Sequence, residues 1–152
     1  MHAKLLTFLW AVAAGSPLSA QPLDACVPIL ALFEKAPETP EQLADVFSAN
    51  IAAPPPSCRV VEAQVGGAQP LCMWTFDYRA TAATEALEAI TTQIRGCIGD
   101  DISEARDPAV NHPDFFALHQ FQSETRALSV SLKDKGALRK TLIFLRGGEA
   151  DR

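Results

Sequence analysis

Asn111, His112, Pro113 and Asp114 stand together in the 152-residue chain, with Asp107 a few positions before them and His119 a few after. An imidazole that titrates near neutrality beside a carboxylate able to orient it is the pairing of general base catalysis, or half of a metal site. His112 with Asp107 or Asp114 is therefore the catalytic candidate set, and it would suit a hydrolase or isomerase. A local explanation competes with it. Pro113 forces an extended backbone on His112, and Asp or Asn beside Pro is ordinary turn chemistry, so the turn is the stronger explanation. His119 falls in a strand-like run with Ala117 and Phe121, which suits packing or surface better than ligation.

Other chemistry finds less footing. None of the four cysteines, Cys26, Cys58, Cys72 and Cys97, lies close to another in sequence, whereas a zinc site draws on short spacings such as C-x-x-C. The serines stand in no G-x-S-x-G setting, and the glycines at 66, 67, 147 and 148 follow no strand-to-helix phosphate loop. No metal and no cofactor is expected. Trp74, Phe76 and Tyr78 would make a stacking platform if left open, but three aromatics at alternate positions are first of all a core face. Lys133, Lys135, Arg139 and Lys140 gather around one hairpin tip, a weak binding candidate for an acidic partner, a phosphate or a lipid headgroup. Solvated turn charge, diluted by Asp134, is the plainer explanation.

The elements that would position these residues follow from periodicity. The even positions 72, 74, 76 and 78 of a strand over 71–78 share one aromatic face. A helix over 82–97, capped by Thr81, carries Ala83, Leu87, Ile90, Ile94 and Cys97 on one stripe. If that helix returns along the strand, Cys97 meets Cys72, which leaves Cys26 for Cys58. Each bridge would stabilise the fold by about 3 to 4 kcal/mol. Upstream, a helix over 25–33 tolerates Pro28 only in its first turn. A second begins at Thr39-Pro40 with Leu43, Val46 and Phe47 inward, and Pro54 to Pro56 make a stiff connector. A strand over 59–64 pairs with 71–78 around a turn at Gly66-Gly67. Residues 99–114 form the longest irregular piece, and strands follow at 115–122, 127–133 and 138–146. Leu142 to Leu145 are apolar on both faces, which places the last strand at the sheet centre or under a cover.

At the start, Lys4 precedes an apolar run over 5–14 that Gly15, Ser16 and Pro17 break, the pattern of a secretory signal over 1–20 cleaved before Gln21. The run is too short to span a bilayer. Residues 21–146 then form a single disulfide-stapled domain, and 147–152 a disordered tail. Four cysteines in a small exported chain make two disulfides. The 13 Lys and Arg are outnumbered by 18 Asp and Glu, so nucleic acid is not an expected partner.

The fold class expected is α+β: a single antiparallel sheet of about five strands with helices on one face, in the order α-α-β-β-α-β-β-β. This order is similar to that of cone-shaped folds of the nuclear transport factor 2 type and of secretion-chaperone folds. The likeness is one of order alone and implies no function. The leading functional expectation is a periplasmic or secreted, non-enzymatic binding protein that engages another envelope or secreted protein, as an inhibitor, immunity-type protein or assembly factor would. A hydrolase or isomerase at His112 is the alternative, and a small-ligand carrier with a cone-like pocket is the second.

Overall fold

The computed structural model describes residues 23–34, 40–63, 67–107 and 116–150. The expected signal at 1–20 and the Thr39 cap lie outside them, as do His112, Asp114 and the last two residues.

Strand β5 (Arg126–Lys135) buries Leu128, Val130 and Leu132 and leaves Ser129, Ser131 and Lys133 half-buried, the one-faced alternation written in its sequence. Strand β6 (Lys140–Glu149) pairs with β5 on one side and with β2 (Gly67–Asp77) on the other. The doubly apolar last strand is thus central. With β1 (Ser57–Ala63), β3 (Ser103–Asp107) and β4 (Phe116–Gln122), the sheet reads β1-β2-β6-β5-β4-β3, every pair antiparallel. The α+β class holds, with six strands in place of five. The sixth is β3, inside the stretch expected to be irregular: its Ser-Glu-Ala-Arg-Asp sequence has no apolar face and all five residues are exposed. Edge strands are commonly charged in this way, because charge opposes pairing with a further strand.

Among the described residues three helices cover one face. Helix α1 (Leu23–Glu34) buries Cys26, Ile29, Leu32 and Phe33, and α2 (Pro40–Asn50) buries Leu43 and Phe47. Because α1 starts at Leu23, Pro28 lies beyond the first turn, where its missing N–H removes one bond of the helical ladder. Helix α3 (Thr81–Cys97) buries the predicted stripe Ala83, Leu87, Ile90 and Ile94. Its N-cap is Ala80 rather than Thr81, and no side chain caps it.

The cysteine pairing differs from the one expected. Cys26 is bonded to Cys97 and Cys58 to Cys72. The cause is the sixth strand. From β2 the chain must reach β3 at the far edge, four strand spacings away, about 19 Å at about 4.8 Å each. Helix α3 therefore crosses the sheet, packing on β5 and β6 rather than returning along β2. Its end is carried away from Cys72, since a disulfide needs Cα atoms within about 7 Å, and Cys97 meets α1 instead. Cys58 directly faces Cys72 in the β1–β2 register, with their Cα atoms 4.0 Å apart. Trp74, expected under α3, is covered by Phe47 of α2, whose ring meets it edge-on at 5.6 Å between centroids.

Two further boundaries move. Tyr78 is not on the strand's aromatic face: β2 ends at Asp77, and Tyr78 sits exposed in the turn that follows. At the C-terminus, Gly147 to Glu149 are not tail but the end of β6, opposite Leu128, Ala127 and Arg126. Gly147 lets β6 pass Pro70 there, since a Cβ on it would stand 2.8 Å from the proline Cγ.

Candidate functional site

One end of the sheet gathers Asp77, Arg79, Asp134, Lys135, Arg139 and Lys140. Here β2 turns into α3 through Tyr78, Arg79 and Ala80, and β5 turns into β6 through a single 3-10 turn, Gly136–Leu138, followed by Arg139. Both turns depend on an arginine in the left-handed region, Arg79 at φ 56° and Arg139 at φ 51°. Among the described residues these are the non-glycine positions that adopt it, and a side chain makes that conformation unfavourable.

Beneath the first turn lies a buried polar group. The side chains of Leu128, Val130, Leu132 and Asp134 point to the same face of β5, so Asp134 continues the core face and is 4 % exposed. Thr141, opposite it on β6, is equally buried and donates its hydroxyl proton to Asp134 Oδ1 at 2.6 Å. Arg79 supplies the rest: its Nε donates to Asp134 Oδ2 at 3.2 Å and its backbone N–H to Thr141 Oγ1 at 2.8 Å. A buried carboxylate is costly unless paired and hydrogen-bonded, and these contacts satisfy it. The guanidinium also lies over the Tyr78 ring, 5.0 Å from its centroid. Between this turn and the first turn of α3 opens a cleft of about 440 Å³, lined by Arg79, Ala80, Ala83, Thr84, Leu132, Asp134 and Thr141.

The predicted basic residues divide. Lys135 and Lys140 face each other across β5 and β6, and Arg139 sits in the turn that joins them. Lys140 donates to Asp77 Oδ1 at 2.9 Å, and its ammonium holds that carboxyl below the usual carboxylate range. Lys135 and Arg139 are exposed, and Leu138 between them is 65 % exposed. Lys133 is two residues down the strand, half-buried on the helix-free face and outside the tip. The strand expected to end at Lys133 runs on, because Asp134 and Lys135 are still paired in β5.

Of the catalytic set His112, Asp107 and Asp114, the described residues include Asp107 alone. Asp107 is the exposed last residue of β3, opposite Leu118, and its proposed partners lie outside the described residues. His119 is buried, and it finds a carboxylate in Glu104 rather than in Asp107. Its Nδ1 lies 3.1 Å from Glu104 Oε1. Arg95 of α3 grips the same carboxylate with Nε at 2.6 Å and Nη2 at 2.7 Å, and Arg106 Nε adds a contact at 3.4 Å. Arg95 above all, with His119 and Arg106, pulls the Glu104 carboxyl down to about 2 against the opposing effect of burial. A carboxylate so fully engaged is a poor proton acceptor at neutral pH. It pins the edge strand β3 to the end of α3. Among the described residues no cluster of His, Cys, Asp and Glu forms a metal-holding set.

Sequence reasoning missed Arg79, Asp134 and Thr141. An acid in phase with the buried residues of β5, and a threonine in phase with Ile143 and Leu145 of β6, were signals that could have found two of them. Comparisons with family models, with curated proteins and with solved structures find no match.

Proposed function

We propose that this chain is an exported, non-enzymatic binding protein, periplasmic or secreted, that docks an acidic protein surface with the end of the sheet that carries Arg79, Lys135 and Arg139. The observation that carries this reading is Leu138, exposed by 65 % and flanked by the exposed Lys135 and Arg139, in a chain of formal net charge −5. An apolar side chain held out on a turn beside two exposed cations is the make-up of an interface anchor with a steering rim. Asp77 and Asp134 pair with Lys140 and Arg79, so the charge of Lys135 and Arg139 is the surplus that attracts. Two disulfides join all four cysteines, which supports an oxidising compartment. Among the described residues no helix is long and apolar enough to cross a membrane.

The test is a photo-crosslinking amino acid at position 138, in the cells that make the protein. A protein partner of net negative charge should be captured, and Lys135→Glu with Arg139→Glu should abolish the capture. Crosslinks to lipid alone, or capture indifferent to the charge reversal, would overturn the reading.

A further inference from the structure

Arg79 occupies a backbone position better suited to glycine, yet its side chain is tightly specified. Asp134 and Thr141, both almost fully buried, hold its Nε and its backbone N–H. A guanidinium is a rigid planar fork, so a bond at Nε fixes the plane in which the two terminal nitrogens lie. Those nitrogens belong to a side chain that is 59 % exposed, and they are donors only. The fork is therefore set in advance of any ligand.

The neighbouring cleft of about 440 Å³ falls within the range of small-molecule sites, about 300 to 1,000 Å³. Beside the arginine its walls are Ala80, Ala83, Thr84 and Leu132, together with Asp134 and Thr141, both already bonded to Arg79. Small apolar groups next to a preset fork suit one chemistry, a carboxylate on an aliphatic body. The fork takes both oxygens as a bidentate pair, and the alanines and leucine take the hydrocarbon. A cation is disfavoured, because the carboxylate of Asp134 already accepts from Arg79 and Thr141 and the charged group that lines the cleft and stays exposed is the Arg79 guanidinium. The uncapped first turn of α3 adds a field of the same sign.

We propose that this cleft binds the carboxylate of an aliphatic acid, with Arg79 as its anchor. Two sources present that group: a small free acid, or the C-terminal carboxylate of a polypeptide that ends in an aliphatic residue. The second source rests on the reading of this end as the partner surface, and the first does not.

The experiment is an NMR titration of the full oxidised chain with four probes: hexanoate, a short N-acetylated peptide acid ending in leucine, the same peptide as its C-terminal amide, and hexylammonium. Saturable shifts should appear at Ala80, Ala83, Thr84 and Leu132 with hexanoate and with the peptide acid, and should not appear with the amide or the amine. Arg79→Lys keeps the charge but loses the fork, and should weaken acid binding about tenfold while the amide spectrum reports a retained fold. Peptide acid tighter than hexanoate assigns the polypeptide source, and equal or weaker binding assigns the free acid. The inference is overturned if no shift saturates, if the amide or the amine binds as well as the acids, or if Arg79→Lys binds hexanoate unchanged. Saturation here with no protein captured at position 138 would retain the cleft and remove the docking surface. The reverse result would remove the cleft alone.

Discussion

Replacing Glu104 with glutamine tests what holds the sixth strand. Glu104 keeps its shape in that change and loses the charge that Arg95 grips through two bonds. The Arg95 guanidinium and the weaker contacts from His119 and Arg106 hold the carboxyl down from 4.5 to about 2. Each tenfold in proton affinity is worth about 1.4 kcal/mol, which puts the full coupling at about 3 kcal/mol. Water reaches 24 % of the Glu104 side chain and 30 % of Arg95, and screening reduces the expected effect to about 1 to 2 kcal/mol. The sign follows from which state binds the proton first. The unfolded chain protonates Glu104 near its ordinary value while the folded one resists, so the stabilisation is complete above about pH 5 and is lost as the pH falls towards about 2. Urea unfolding of the native chain and of Glu104→Gln, followed by far-UV circular dichroism across that range, measures it. The variant should be less stable by about 1 to 2 kcal/mol at neutral pH and the two curves should converge in acid. Parallel curves over the whole range would show that Glu104 carries no such coupling.

The other predictions concern covalent and backbone geometry. Peptide mapping of the oxidised protein should recover Cys26 with Cys97 and Cys58 with Cys72. Removing the first pair, 71 residues apart, should cost about 4 kcal/mol, and removing the second, 14 apart, about 3; denaturant titration of the two double alanine variants gives both values. Gly147→Ala should cost about 1 to 3 kcal/mol by the same assay, because the added methyl meets Pro70 at 2.8 Å. A neutral result would mean that β6 does not run past Pro70 as described.

What the sequence disclosed was whatever a single element could write. The alternation of Leu128, Val130 and Leu132, the stripe of α3 and the two-sided apolar run of β6 each depend on one element's period, and each element forms, with the ends of β5 and β6 shifted. Strand β3 has no period of its own to display. It is a strand only because β4 pairs with it and Arg95 reaches Glu104, contacts made from outside its five residues. Missing it left α3 nowhere to go but back along β2, and the wrong cysteine pairing followed from that. The site divides in the same way. Lys135, Arg139 and Lys140 share one hairpin and were visible as a cluster. Arg79 reaches Asp134 across 55 positions and Thr141 across 62, a distance over which no local spacing reports.

The proposed docking surface is tested most directly by how capture at position 138 depends on charge at positions 135 and 139. Single reversals at Lys135 and at Arg139 should each weaken the crosslink to the acidic partner, the double reversal should remove it, and added salt should weaken it in the unaltered chain. A crosslink of undiminished yield in the double reversal, or one insensitive to salt, would contradict a surface that works by its surplus of positive charge.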